Sequence, residues 1–586
     1  MRREKLLLAA LASVLVCAVV LAYSNHFQNG FQFDDSHVIQ NNLHLRSLSN
    51  IPKFFTDATT FSSLPANQSY RPVLTTIFAI LYRAGGGTPR AFQIFSFLSY
   101  MVLWIILFFL FRRIFRLADS SGPGGWAALP GTAFYMLHAA NAETVNYISA
   151  QSDLLSTLFM AASLLLYISR PGLRKYCLYL VPAGLAVITK EVSIIFPLLL
   201  LAYILLFESD PPSDEAPYTQ ERARLKRALL MIAPSLIVCC ALMLLSSVML
   251  PKTYTPSTTS RLEYILAQPF VIVHYFNTFL LPMNLSADTD WKPLTNPFDD
   301  RVLTGIIFIA ALAILAVIAA RKQRTRPISF GLIWFLAGVL PPSSGVVPLA
   351  EVMNDHRMFL PFIGLAMSST WGVSLAINRR WESIRNSLAM RAAIVLLISA
   401  VLAGHAYGTY QRNKVWNNDE SLWLDVTRKS PANPRGLMNY GLTQLHKGDA
   451  RKALDYFNKA LLYSPAYSYL HVNIAIARAH LGEHAIAEAH FKRALELNQN
   501  YHGAYYFYAR FLNDRNRIPE AIPLLRKSIA LSPGFTESRY LLMQILASMG
   551  NTAGLREAAQ DTLKYFPEDP AARFYLAQIR EREADD

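Results

Sequence analysis

Charge is scarce in this 586-residue chain. Asp, Glu, Lys and Arg make up 16% of it, where a soluble globular domain carries about 25%. Hydrophobic residues account for 53%, and the mean hydropathy is +0.25. These values exclude an ordinary soluble enzyme for the chain as a whole and point to a membrane protein. Cysteine is scarcer still. The four cysteines, Cys17, Cys177, Cys239 and Cys240, all lie in apolar runs, which excludes a disulfide framework and any CxxC or His/Cys metal spacing. No P-loop or dinucleotide fingerprint precedes a helix, so no nucleotide site is expected.

What is present is apolar length and an uneven distribution of charge. The net charge of +15 would suit a nucleic-acid partner, but it is not spread as one would need. Residues 412–586 hold 23 basic and 19 acidic side chains, so most of the excess belongs to the first 411 residues. There the basic residues gather in short segments between apolar runs: Arg2/Arg3/Lys5, Arg112/Arg113/Arg116, Arg170/Arg174/Lys175, 222–227, 321–326 and 379–385. That is the positive-inside pattern of a polytopic membrane protein, and nucleic acid is not the expected partner.

A helical crossing takes roughly 20 apolar residues. About eleven spans are expected, near 6–24, 92–111, 126–142, 150–169, 176–189, 192–207, 229–250, 302–320, 328–342, 358–377 and 391–409. The first follows Met1-Arg-Arg-Glu-Lys without a small-x-small cleavage site, and reads as an uncleaved anchor. A further apolar stretch, 263–282, must be re-entrant or interfacial if every basic cluster is to stay cytoplasmic. The N-terminus is then cytoplasmic, and everything after about residue 410 is extracytoplasmic.

The last 175 residues turn polar and repetitive. Pro431, Pro465, Pro533 and Pro567 fall at steps of 34, 68 and 34, with Gln499 at the missing step. Thirty-four is the tetratricopeptide (TPR) period. Gly441, Gly448, Ala453, Phe457 and Ala460 recur as Ala475, Gly482, Ala487, Phe491 and Ala494. Repeats are expected at 434–467, 468–501, 502–535 and a degenerate 536–569, with a closing helix. The organisation read from sequence is therefore a membrane domain over 1–411, a connecting helix or linker over 412–433, and a TPR domain over 434–586. Asn439 and Asn473 share the sixth position of successive repeats, where they would line the groove and bind an acceptor peptide backbone. Asn is also simply common at that position.

The expected outer loops carry four ionisable clusters: Asp34-Asp35-Ser36-His37 with Arg71 later in the same loop; His138 and Glu143 followed by Asp153; Lys190-Glu191; and Glu351 with His356-Arg357. Ionisable side chains near membrane depth are functional candidates by default. Adjacent carboxylates can supply a base, and the basic side chains suit a phosphate. Each cluster also has a structural reading. Asp34-Asp35 could be a solvated turn, Lys190-Glu191 an interfacial ion pair, His356-Arg357 a snorkelling anchor, and His138 and Glu143 helix caps. Their shared side of the membrane favours a common site, one that opens a lipid-borne, phosphate-linked donor.

Several segments then resemble a known family. Phe33-Asp34-Asp35 with Ile39, Tyr70-Arg71-Pro72-Val73-Leu74, the stretch from His138 to Leu155, Lys190-Glu191 and Arg357-Met-Phe-Leu-Pro361 occur in the order found in GT-C glycosyltransferases. They are most similar to the transmembrane-and-TPR protein O-mannosyltransferases and their bacterial relatives. The chain departs from them at Gln151, where the family commonly has Arg, and at Ala139, where Pro usually follows the His. The resemblance implies an all-α fold, a polytopic GT-C-like membrane domain followed by a TPR α-solenoid. It implies inverting transfer of a sugar from a polyprenyl- or dolichyl-phosphate carrier to a hydroxyl, Ser or Thr of a protein above all. Asp34 or Asp35 would be the catalytic base. Arg71, His138, Lys190, His356 and Arg357 would hold the donor phosphate, with His37, Glu143, Asp153, Glu191 and Glu351 in support. No cofactor is required, although the site leaves room for a divalent metal near Asp35. The expected partners are the bilayer, the lipid-linked donor and an acceptor polypeptide held by the TPR groove. A transferase acting on lipid or cell-surface glycan, and a non-catalytic membrane-anchored TPR scaffold, are the alternatives.

Overall fold

Long apolar runs with few turn signals form helices, because a backbone in lipid must satisfy its own hydrogen bonds. The computed structural model describes residues 2–119, 124–208, 217–252, 259–344, 349 and 351–585, and among them the regular elements are all helical. The side chains of residues 2–5, and with them the first basic cluster, lie outside the described residues. Two compact units are present, Met1–Leu422 and Trp423–Asp586.

The first unit is a helical bundle. Its main helices are α1 (Arg2–Ala22), α2 (Pro72–Gly85), α3 (Pro89–Ala118), α4 (Gly124–Leu137), α5 (Gln151–Ser169), α6 (Leu180–Val187) and α7 (Phe196–Phe207). They are followed by α8 (Pro217–Met249), α9 (Arg261–Leu280), α10 (Asp300–Ala320), α11 (Arg326–Ser343), α12 (Phe359–Arg379) and α13 (Leu388–Val415). Seven stretches among the described residues are long and apolar enough to cross a membrane: those of α1, α3, α5, α8, α10, α12 and α13. Seven of the eleven expected spans therefore have the length and composition of a crossing in a single helix among the described residues. Helix α6 has 8 residues and α7 has 12, so at 1.5 Å per residue α7 covers about 18 Å. Proline and 3-10 turns interrupt them, which is tolerated where protein rather than lipid surrounds the backbone.

Stretch 263–282 is one continuous helix, α9. Its Tyr264 hydroxyl donates to the Pro342 carbonyl at 2.6 Å, Gln268 to Val352 at 3.1 Å and Tyr275 to Asn354 at 3.0 Å. The helix is thus tied along its length to the end of α11 and the loop before α12. Helices approach closely where side chains are small. A Cβ on Gly305 would stand 2.3 Å from the Pro269 carbonyl carbon, and one on Gly331 2.3 Å from the Gly364 oxygen. Large aromatics, among them Trp334, Trp371, Tyr100 and Tyr135, fill the remaining core.

The second unit stacks helix pairs: α14 (Pro434–His446) with α15 (Ala450–Tyr463), α16 (Ser468–His480) with α17 (His484–Leu497), α18 (His502–Asn513) with α19 (Ile518–Leu531), and α20 (Thr536–Ser548) with α21 (Thr552–Tyr565). Helix α22 (Pro570–Asp585) follows. The small-residue and Phe pattern has a direct cause. A Cβ on Gly441 would lie 2.6 Å from the Phe457 ring, so the ring occupies the space a side chain would need. In the fourth pair Met543 and Leu555, both buried, fill the gap instead.

The division between the units, after Leu422, falls inside the expected connecting segment 412–433. Residues 412–422 stay with the membrane unit because Arg412, Asn413 and Trp416 are buried in it.

Candidate active site

Between α1 and α2 the chain is rich in Asn, Ser, Asp and Pro, which favour turns over long helices. The loop accordingly folds as short turns, several begun by a side chain that caps its own backbone: Asn42, Ser47 and Asp57. An apolar cluster of Val38, Ile39, Leu45, Phe54 and Phe61 seats it on Leu74, Phe78 and Phe92. Phe33 enters the acidic motif with a φ of +49°, a conformation that costs a non-glycine residue about 1–2 kcal/mol. Its ring lies 5.6 Å from Tyr147 and 6.0 Å from Trp416, and those two rings stack at 5.7 Å.

The two aspartates after Phe33 have opposite environments. Asp35 is fully buried. Its carboxylate accepts from the Ser149 N–H at 2.8 Å, the Ser149 hydroxyl at 2.6 Å and the Gln32 N–H at 3.0 Å. Burial, opposed by those hydrogen bonds and aided by the Asp34 charge, pushes the Asp35 carboxyl up to about 7. The Asp34 side chain is 52% exposed and lies 3.2 Å from His37 Nε2. The other His37 nitrogen meets the Ser62 hydroxyl at 2.9 Å, which fixes the ring relative to Asp34.

Four of the five cationic candidates each meet one of the supporting carboxylates. Lys190 Nζ is 2.6 Å from Asp153, Arg71 is 3.3 Å from Glu191, His356 Nδ1 is 3.2 Å from Glu143, and Arg357 is 3.6 Å from Glu351. Arg357 also donates to the Glu351 carbonyl at 3.0 Å, and Arg71 sits 5.5 Å from the Phe61 ring centroid. Burial pushes the Lys190 ammonium down, with Asp153 opposing.

Segment 143–153 connects all of this. Glu143 holds His356, the Tyr147 hydroxyl lies 3.3 Å from the Asp34 N–H, Ser149 holds Asp35, and Asp153 holds Lys190. The other three clusters, up to about 320 residues apart in sequence, therefore each place a side chain against eleven consecutive residues of the second. His138 is placed differently. Taken from its position in the sequence as a phosphate ligand, it sits buried among Phe134, Phe279, Phe362 and His405. Its Nε2 meets the Phe279 carbonyl at 3.1 Å and its Nδ1 accepts from the Ala140 N–H at 3.3 Å, so both ring nitrogens are taken. Gln151, the departure from the family pattern, is buried and donates to the Phe92 carbonyl at 3.0 Å.

Sequence reasoning missed a polar lock beneath the loop. Asn146 lies at its centre, 2.9 Å from His26 Nδ1 and 2.6 Å from the Asn413 side-chain oxygen, to which it donates. Asn29 donates to both Asn146 and the Asn413 carbonyl, and Asn413 donates to the Ala22 carbonyl at 2.9 Å. The available signal was polar side chains at the very ends of apolar spans. Among the described residues no group of three or more His, Cys, Asp or Glu side chains gathers as metal ligands would. Asn439 and Asn473 occupy equivalent, half-buried positions on α14 and α16.

Comparison with known proteins gives the site its context. Tetratricopeptide-repeat models match residues 434–467 and 472–534. Over 93% of its length the chain is 21% identical to the protein O-mannosyl-transferase TMTC3 of Mus musculus. Over 92% it is 22% identical to Tmtc3 of Drosophila melanogaster, a protein O-mannosyl-transferase by name. The chain is similar to the TMTC-type protein O-mannosyltransferases. It spans 63% of the length of the mouse relative and 65% of the fly one. Among solved structures, a thermophilic TPR protein of Thermus thermophilus is 20% identical, with 30% of this chain and 92% of that one covered at a TM-score of 0.25. Helices long and apolar enough to cross a membrane and TPR helix pairs are both present in this chain.

Proposed function

We propose that the chain is a membrane glycosyltransferase of the protein O-mannosyltransferase type. It moves a sugar from a polyprenyl- or dolichyl-phosphate donor to a Ser or Thr hydroxyl at the extracytoplasmic face, with inversion. The observation that carries this reading is the convergence of the acidic pair, Lys190 and His356 on segment 143–153. Asp34, the exposed carboxylate, takes the proton of the acceptor hydroxyl as that oxygen bonds to the anomeric carbon. The bond from that carbon to the phosphate oxygen breaks, and the lipid phosphate leaves with the electron pair. Lys190, Arg71, His356 and Arg357 stabilise the leaving phosphate, while Glu143, Asp153, Glu191 and Glu351 hold them in place before the donor arrives. Asp35 positions the loop rather than taking the proton, because Ser149 and the Gln32 backbone occupy its carboxylate. The TPR unit recruits the acceptor chain, with Asn439 and Asn473 offered to its backbone.

The test uses the purified full chain, a peptide acceptor and labelled polyprenyl-phosphate mannose, a sugar chosen because the relatives are named for its transfer. Asp34→Asn is expected to lower turnover by about 10²–10⁴-fold, the usual contribution of a general base, with helicity unchanged. Unchanged turnover would remove Asp34 from the mechanism. Absence of transfer from any lipid-linked donor by the wild-type chain would favour the scaffold reading.

A further inference from the structure

The positive-inside rule accounts for the sign of charge at one end of a bundle but not for its gathering at one point. At the end opposite Asp34, arginines from four elements surround the end of α7. Helix α5 sets the separation: Asp153 belongs to the candidate site, and Tyr167 lies fourteen residues along the same helix, about 21 Å away at 1.5 Å per residue. The Arg174 guanidinium stacks on the Tyr167 ring at 3.9 Å and pairs with Glu208 at 2.8 Å. Arg113, from the end of α3, and Arg174 both act on the Tyr203 hydroxyl of α7. Arg224 of α8 donates to the Leu205 carbonyl, and Arg326, at the start of α11, lies within electrostatic reach of Arg224.

Two features go beyond a solvated basic rim. Arg113 and Arg326 meet no carboxylate among the described residues, and Arg326 reaches only the Ala320 carbonyl. The Tyr167 side chain is 2% exposed, yet its hydroxyl has no hydrogen-bond partner among the described residues. A buried donor left unpaired costs about 1–3 kcal/mol, which marks a place where an acceptor is missing. Beside it, Ile204, Glu208, Arg224, Arg227, Ala228 and Met231 line a shallow hollow. Exposed apolar side chains follow the basic residues along the chain, Tyr176, Leu178 and Val181 after Arg174 and Leu229 and Leu230 after Arg227. Such side chains belong in a bilayer, so the acceptor should come from the bilayer too.

We infer that this arginine cluster binds the phosphate of an anionic phospholipid headgroup, with Arg113, Arg174 and Arg326 as its charged contacts and the Tyr167 hydroxyl as a donor. Basic pockets between helices at a membrane surface are suited to such headgroups. The site is separate from the glycosyltransfer proposal and stands whether or not that proposal holds.

The experiment measures lipid retention by native mass spectrometry. The full chain is released from mixed micelles of phosphatidylglycerol and phosphatidylcholine with matched acyl chains. Selective retention of one phosphatidylglycerol per chain is expected. Arg113→Gln, at an exposed position that the fold does not need, should weaken retention about fivefold, the equivalent of about 1 kcal/mol per basic group. Arg326→Gln should act similarly, and Tyr167→Phe should weaken retention while leaving the helical circular dichroism intact. Equal retention of both lipids, or no change in all three variants, would overturn the inference. Glycerol phosphate without acyl chains should not compete. If it displaces the lipid at equal concentration, the site takes a soluble phosphate and the assignment to lipid fails.

Discussion

Asp34 and Asp35 are neighbours with opposite surroundings, one half exposed beside His37 and the other sealed against Ser149. The burial of Asp35 has a consequence for stability. Its carboxyl is raised from 3.8 to about 7 in the folded chain, so the native state keeps a proton that the unfolded state releases. Below about pH 4 both states hold it. Between there and about pH 7 the unfolded state binds fewer protons, so the stability contributed by this group falls as pH rises, then levels off. Unfolding midpoints measured across that window should fall less steeply in Asp35→Asn than in the wild type, and parallel curves would contradict the assignment. Lys190 makes a second residue-scale prediction. Lys190→Met leaves Asp153 buried without its cation, and breaking such a pair costs about 3–5 kcal/mol. Asp153→Asn with Lys190→Met should recover much of that loss in thermal unfolding. The sequence displayed every one of these side chains. It could not display their pairings, because Lys190 with Asp153 and His356 with Glu143 are contacts between distant helices.

Among the elements, apolar runs predicted helices correctly but overestimated their length. Helices α6 and α7 are short because Pro, Gly and 3-10 turns break the runs, and only tertiary burial makes those breaks tolerable. The polar lock was equally hidden, since Asn146 and Asn413 reach each other across 267 residues. Asn146→Leu would strand buried groups on His26, Asn29 and Asn413, each costing about 1–3 kcal/mol. The tryptophan-fluorescence melting temperature of that variant should fall by several degrees or more, and an unchanged melt would mean the lock is dispensable. Helix contacts through glycine are similarly exacting. Gly331→Leu places a side chain into the Gly364 backbone, and the expected result is loss of folded protein from the membrane fraction.

The whole molecule comprises two units of different origin in the sequence. The 34-residue period made the TPR array legible down to its helix pairs, because the first two repeats solve the same packing problem with Gly441 or Ala475 facing Phe457 or Phe491 and the later ones keep the spacing. The limit of the membrane unit was less legible, since the burial of Asn413 and Trp416 depends on partners near residues 22–33 and 147. Removing residues 423–586 should lower turnover of polypeptide acceptors well beyond that of small hydroxyl acceptors. Equal loss of both would contradict recruitment by the repeats. Segment 143–153 finally bears on how the molecule tolerates change. Because one stretch touches Asp34, Asp35, Lys190, His356 and the lock, substitutions at Glu143, Ser149 and Asp153 will not act independently. Their combined effects should depart from additivity by about 0.5–3 kcal/mol, as contacts within one network do. Evolutionary drift there is then constrained to compensated steps, so a change at one of these three positions will be viable mainly on backgrounds already altered at another.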